Sequence, residues 1–146
     1  MHLRHIAFCL LLTGALSAWA DEAPIGYVKT LSGDASVTTG KNKVAAQLGT
    51  PLFQGSQLRT GAKSSMGVTF KDDTVMSFGP DTDLTVDEYL YAPSQGKLKL
   101  GSKLVKGSLN YVSGAIAKLQ PDAVSVKTPT GTIGVRGTQF VVTVEP

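Results

Sequence analysis

Beyond residue 20 this sequence contains no histidine, no cysteine and no tryptophan: His2, His5, Cys9 and Trp19 all lie before that point. The rest of the chain therefore has no thiol for a disulfide, no thiolate or imidazole for a zinc-type centre, no cysteine nucleophile and no histidine base. Long apolar runs are missing too. Phe140 to Val144, FVVTV, is typical of the longest, far short of the roughly 20 residues that cross a bilayer as a helix. Nor is there a strong excess of charge of one sign: the formal net charge of +3 falls to +2 without Arg4, too little to point to a nucleic-acid partner.

The first twenty residues read as a leader. Met1 to His5 carry Arg4 as their one permanent charge, Ile6 to Leu16 are apolar, and Ser17-Ala18-Trp19-Ala20 follow. That order is a signal peptide with a small-x-small cleavage site, and its apolar core is too short for a retained anchor. Cleavage is expected after Ala20, with Asp21 as the new N-terminus. Cys9 lies inside the apolar run with no lipid-attachment pattern around it. Residues 21–146 are then expected to form one exported domain with a single core, and no segment of them is apolar enough to cross a membrane.

What the mature chain does contain is short runs rich in Val, Thr, Phe, Tyr and Leu, broken by Gly, Pro, Asp and Asn. Met66, Val68 and Phe70 alternate on one face of a strand, Asp72-Asp73 turns the chain, and Thr74 to Phe78 returns as a hairpin partner. Further strands are expected at Gly26–Leu31, Ala35–Thr39, Lys43–Gln47, Ser56–Thr60, Leu84–Tyr91, Lys97–Leu100, Lys103–Val112, Ala123–Lys127 and Thr138–Val144. A single helical turn fits Ala115–Leu119. Pro51, Pro80, Pro93, Pro121 and Pro129 fall in the gaps, where a missing N–H costs nothing. The fold class is all-β: a layered or rolled sheet of short strands, solenoid-like or a sandwich. An echo supports repetition, since Leu48–Ser56 and Leu100–Ser108 share L-G-x-x-L-x-x-G-S, and Thr60-Gly61-Ala62 answers Ser113-Gly114-Ala115.

Three local patterns invite functional readings. Asp81, Asp83, Asp87 and Glu88 are clustered oxygen donors of the kind hard cations take, but their spacing matches no calcium loop, and Asp81 and Asp83 suit turn hydrogen bonds. No pair of carboxylates is singled out for glycoside hydrolysis either. Glycines near Thr130 and Thr132 suggest a phosphate cradle, yet there is no G-x-x-x-x-G-K-[ST] and no helix follows. Lys97, Lys99, Lys103 and Lys106 alternate with Leu98, Leu100 and Leu104, as either a strip for an anionic envelope polymer or a solvated face that discourages edge aggregation. The second reading is the simpler.

The most distinctive stretch runs from Val126 to Val142, VKTPTGTIGVRGTQFVV. Its strand ending in Thr128-Pro129, its turn at Gly131, and Gly134 leading into Val135-Arg136-Gly137-Thr138 and an apolar strand closely resemble the signature of the FecR domain family. Gly33–Val37, Leu52–Gly61 and Val68–Thr74 match the family pattern upstream, so the resemblance covers nearly all of residues 21–146. It implies a periplasmic β-domain used for signalling or binding and not for catalysis; with no thiol or imidazole after residue 20, no cofactor or metal is expected. Well-known members relay the state of an outer-membrane iron-siderophore transporter to a cytoplasmic sigma factor. This sequence shows no cytoplasmic N-terminal segment, and the family pattern often continues for a strand or two beyond the position of Pro146, so the domain is expected to be cut short there.

The function expected from all this is non-catalytic: a periplasmic sensor, adaptor or binding module whose partner is another envelope protein, engaged through an exposed strand edge. The alternative is envelope polysaccharide, held by the lysines and the exposed members of Tyr89, Tyr91 and Tyr111. Thr128, Pro129, Gly131, Gly134, Val135, Arg136, Gly137 and Thr138 are expected to hold a shape, with the Arg136 guanidinium reaching carbonyls or a carboxylate such as Asp34 or Asp87.

Overall fold

Residues that alternate apolar and polar favour strands, and Gly, Pro and Asp end them; the chain does both along most of its length. The structure, a computed structural model, describes residues 23–145, so the leader and its cleavage site lie outside the described residues. β1 (Gly26–Ser32) turns at Gly33 into β2 (Ala35–Thr39), which turns at Gly40 into β3 (Asn42–Ala45). A loop leads to the two-residue β4 (Pro51–Leu52) and to β5 (Gln57–Thr60). The hairpin of β6 (Ser65–Phe70) and β7 (Val75–Phe78) follows, turning at Asp73 with a positive φ of 67°. Next come the long pair β8 (Asp83–Ala92) and β9 (Lys97–Val112) and the short helix α1 (Ala115–Leu119). The last strands are β10 (Val124–Thr128), β11 (Gly131–Gly134) and β12 (Gln139–Val144).

The twelve strands of the described residues belong to one sheet, curled into a half-barrel, whose main path runs β3-β2-β5-β8-β9-β7-β6-β1-β4. The 16-residue β9 is its spine. Its first half lies between β8 and β10, and its second half between β7 and β12. Every pairing is antiparallel except β10 with β9. The sheet folds over in the middle of β9, where two local features coincide. Val105 is an extra residue against β8, the register passing from Leu84↔Leu104 to Asp83↔Lys106. Gly107 then takes φ 94°, pressed so closely on Thr82 that a Cβ there would collide with its Cα and side chain. A bulge followed by a left-handed glycine is how a strand turns a corner. The buried Thr82 hydroxyl holds the corner, accepting from the Ser108 N–H at 3.0 Å and donating to the Gly79 carbonyl at 2.9 Å.

The curled sheet buries one side. Leu100, Leu104, Leu109 and Tyr111 of β9 are fully enclosed, with the buried Leu84 beside Leu104 and Met76 beside Tyr111 on the neighbouring strands; burial of each such aliphatic side chain is worth roughly 1.5–3 kcal/mol. Five residues are too few to hold a helix on their own, so α1 depends on a contact from elsewhere in the chain. The buried Asp72 supplies it: its carbonyl accepts from Ala115 N at 2.7 Å and its carboxylate from Ile116 N at 3.0 Å. That carboxylate also accepts from the hydroxyls of Thr74 at 2.7 Å and Tyr89 at 2.9 Å.

Most expected strands are present, with four corrections. Pro51, expected in a gap, lies in β4 opposite Tyr27. Lys97–Leu100 and Lys103–Val112 are one strand, because Gly101 and Ser102 are paired on both sides and do not break it. Gly131–Gly134, expected as turn and bend, pairs with β10 as a strand. Ser56 lies outside β5, in a bend where its hydroxyl accepts from Phe53 N at 2.9 Å. The two echoing phrases agree at buried Leu52 and Leu104 and at the left-handed Gly55 and Gly107. They differ otherwise: the first is turn, short strand and turn, whereas the second lies wholly inside β9.

Candidate protein-interaction surface

Thr128 and Gly131 face each other where β10 passes into β11, with Pro129 and Thr130 forming the two-residue loop. The Thr128 hydroxyl donates to the Gly131 carbonyl at 3.0 Å, closing the turn. Every residue of β11 is exposed, and among the described residues it pairs only with β10. Val135 is buried and anchors the return of the chain. Gly137 follows with φ 98°, its carbonyl accepting from the Ser113 hydroxyl at 2.7 Å, while the Thr138 carbonyl accepts from Ser113 N at 2.8 Å. Gly137 thus reverses the backbone so that β12 can enter beside β9. Gly134 has open space around it, and neither crowding nor a left-handed φ requires glycine there.

The expectation for Arg136 is not met. It is exposed and, among the described residues, makes no side-chain hydrogen bond or ion pair. Asp34 sits by the β1–β2 turn and Asp87 on β8, both on other parts of the sheet. Arg136 instead borders a hollow of about 400 Å³ with Ala117, Pro121, Asp122, Val135 and Gly137.

The bend delivers β12 as an edge strand: among the described residues it pairs only with β9. Phe140, Val142 and Val144 turn inward, Phe140 stacking on Tyr111 with ring centroids 4.8 Å apart. Gln139, Val141 and Thr143 face solvent, and Val141 is 66% exposed. Backbone direction alternates in step. The Ser113 N–H to Thr138 O bond turns the even-numbered residues of β12 toward β9, so the N–H and C=O groups of Gln139, Val141 and Thr143 point outward. Among the described residues this edge therefore offers three donors and three acceptors beside an exposed valine. At its far end a second hollow, about 450 Å³, is bordered by Pro80, Lys106, Thr143, Val144 and Glu145.

Lys97, Lys99, Lys103 and Lys106 are all exposed along β9. Lys127 of β10 joins them, directly opposite Lys103 in the parallel register. The strip is interrupted by acid. Lys99 lies 2.6 Å from Glu88, whose carboxyl is held below its ordinary range by the Lys99 hydrogen bond and charge, with a smaller contribution from Lys127. Both side chains are half exposed, and such pairs add little to stability. The tyrosines do not line up with the lysines. Tyr89 and Tyr111 are buried, Tyr89 stacking on Phe70, and only Tyr91 reaches solvent. The acidic cluster also disperses: Asp83 is engaged by Arg59 at 3.0 Å and Gln57 at 3.0 Å, Asp81 sits in a turn, and Asp87 is an extra residue in the β8–β9 ladder. Among the described residues no three His, Cys, Asp or Glu side chains converge.

Two features of this surface and its support have little signal in the sequence. The outward face of Gln139, Val141 and Thr143 was hidden in what looks like an apolar run, although the alternation of Q-F-V-V-T-V carries it. Asp72 reads as an ordinary turn residue, and nothing local signals its burial beneath α1.

The sequence model of a family described as FecR protein matches residues 56–146, from the bend before β5 onward. The Gly33–Val37 phrase precedes the matched stretch. No curated protein and no solved structure matches the chain.

Proposed function

Because this chain belongs to the FecR family, which is associated with signalling between proteins, we propose that it is a non-catalytic module of the bacterial periplasm that works by binding other proteins. The observation that carries this reading is the edge of β12, where, among the described residues, three outward-facing residues present unpaired backbone groups around an exposed valine. An extended segment of another protein can add to such an edge: main-chain hydrogen bonds supply affinity, and side chains on alternate positions supply selectivity. A leader of the kind in residues 1–20 supports export, and the absence of histidine and cysteine after it supports a binding role rather than a catalytic one.

The test places a photo-crosslinking residue at Val141 or, as a control, at the exposed Lys118, in protein exported from the full gene. Adducts with another envelope protein at Val141 and not at Lys118 are expected. Equal labelling at both positions would remove β12 as the site. The presence of Lys127 beside Lys103 gives the second reading, polysaccharide binding, a specific basis. It predicts co-sedimentation with purified peptidoglycan that is lost in Lys103→Glu and Lys127→Glu.

A further inference from the structure

We infer that the β3 edge takes up an extended, acidic segment of another protein, one apolar side chain of which enters the gap where the curled sheet stays open. β3 ends the main path of the sheet, whereas β12 hangs on β9, so this is a second edge, independent of β12.

The main path begins at β3 and finishes at β4, and both ends border one hollow of about 250 Å³. Its walls are Val37 and Thr39 of β2, Val44 of β3, Pro51 of β4 and the half-buried Phe53. Val37 and Val44 lie directly opposite each other and so share one face of the sheet. Val37 is buried, yet Val44 is 47% exposed. The difference arises because, among the described residues, β3 pairs only with β2. β4 is a poor partner to close the gap: it is two residues long, and Pro51 has no N–H to give a ladder.

The Ala46 N–H donates to the Ala35 carbonyl at 2.9 Å. By alternation Asn42 and Val44 turn their backbone groups toward β2, and Lys43 and Ala45 turn theirs outward. A strand laid antiparallel along β3 therefore bonds to Lys43 and Ala45. Its residue opposite Val44 forms a non-hydrogen-bonded pair, the kind in which side chains come closest. That residue shares the face of Val44 and points with it into the hollow, so an apolar side chain there covers Val44 and packs toward Phe53.

The edge also selects the charge of its occupant. Residues 40–47, GKNKVAAQ, hold two lysines and no acid. Lys41 and Lys43 are exposed and make no ion pair among the described residues; Asp34 borders the same shallow depression as Lys43 without reaching ion-pair distance. A lysine on an edge discourages a strand of like charge, and a second copy would bring Lys41 and Lys43 of its own. A carboxylate opposite Lys43 makes the same group attractive. The fitting segment thus alternates, with an apolar residue facing the hollow and acidic residues on the positions facing Lys43 and Lys41.

The test titrates the labelled peptide Glu-Thr-Glu-Leu-Glu-Thr-Glu, whose order is the same in either direction, with purified protein exported from the full gene, and follows fluorescence anisotropy. Saturable binding is expected. Replacing the leucine by serine should weaken it about tenfold or more, and replacing the glutamates by lysine should abolish it. Ala45→Pro removes an outward N–H and spares the ladder to β2, since proline is tolerated where the N–H of an edge strand faces solvent. Val44→Asp sets a carboxylate at the hollow. Both residues are exposed, so both variants should melt like the parent and lose the peptide. Should either fold poorly, Lys43→Glu decides: it should lose the acidic peptide and gain the lysine-substituted one. Val141→Pro in β12 should bind like the parent. No binding to the parent up to about 1 mM peptide, binding indifferent to Ala45→Pro and Val44→Asp, or binding lost in Val141→Pro instead would each overturn the inference. A parent dimer that Val44→Asp dissolves would also overturn it, giving the edge to a second copy. Crosslinking at Val141 tests β12 separately, whichever way the peptide behaves.

Discussion

Replacing Gly107 by alanine should damage this protein far more than the same change at Gly137, although both glycines have a left-handed backbone, φ 94° and 98°. The backbone term is common to the two, about 1–2 kcal/mol for holding an L-residue in that region. The surroundings differ. A Cβ at Gly137 meets nothing within 4 Å, whereas at Gly107 it would press on the Cα, Cβ and Oγ1 of Thr82. Thr82 is buried and cannot yield without loosening its bonds to Ser108 N and the Gly79 carbonyl. Overpacking of this kind costs about 1–3 kcal/mol, and each weakened hydrogen bond about 1 kcal/mol. Gly107→Ala is therefore expected to lose about 4–7 kcal/mol and Gly137→Ala about 1–2 kcal/mol, from a total that for most domains is about 5–15 kcal/mol. Urea unfolding followed by far-ultraviolet circular dichroism measures both. Equal losses in the two variants would show that the fold of β9 over Thr82 does not have the tightness assigned to it.

Tyr89 and Tyr111 are buried, and desolvation raises both phenols above the ordinary tyrosine value, Tyr111 up to about 12. Their raised folded-state values favour the native protein fully below the unfolded value near 10. That contribution fades as pH climbs from there toward the folded values, by about 1.4 kcal/mol per pH unit for each tyrosine. Alkaline titration should therefore show the buried phenolates appearing together with loss of sheet structure; their ionisation in a still-folded protein would contradict this. Asp72→Ala leaves the Ile116 N–H and the Thr74 and Tyr89 hydroxyls without their acceptor, and should cost about 3 kcal/mol or more, with faster amide exchange in α1; an unchanged urea midpoint would show that α1 stands without it. Arg136→Lys, which removes no hydrogen bond or ion pair, should melt with the parent, and a clear loss of stability would reveal a contact of Arg136 with its own chain.

The strands could be read from the sequence because alternation is local: Met66, Val68 and Phe70 declare their shared face without help from the rest of the chain. What the chain does at Gly101 and Gly131 could not be read that way. Glycine disfavours strands locally, and both residues are extended only because β8, β10 or the β10–β11 turn pairs with them. The fold-over of β9 joins the bulge at Val105 to a close approach of Gly107 and Thr82, 25 residues apart in the chain, which no local pattern announces. In the V-R-G-T segment the sequence suggests a carboxylate or carbonyl partner for Arg136, and the fold leaves that side chain exposed beside the hollow at Ala117 and Pro121. Asp72 is the clearest case of the opposite error: its neighbours suggest a solvated turn, and only the return of the chain at Gly114 buries it.

The reading of β12 as an association edge is tested most directly by residue-resolved amide hydrogen exchange across that strand, measured with and without envelope extract. In the free protein the N–H groups of Phe140 and Val142, turned toward β9, should exchange slowly, and those of Gln139, Val141 and Thr143 rapidly. With a bound partner strand, protection should spread to the odd-numbered positions and remove the alternation. Alternation that persists unchanged in the presence of envelope extract, with Val141 always fast, would contradict the claim that this edge is where the protein associates.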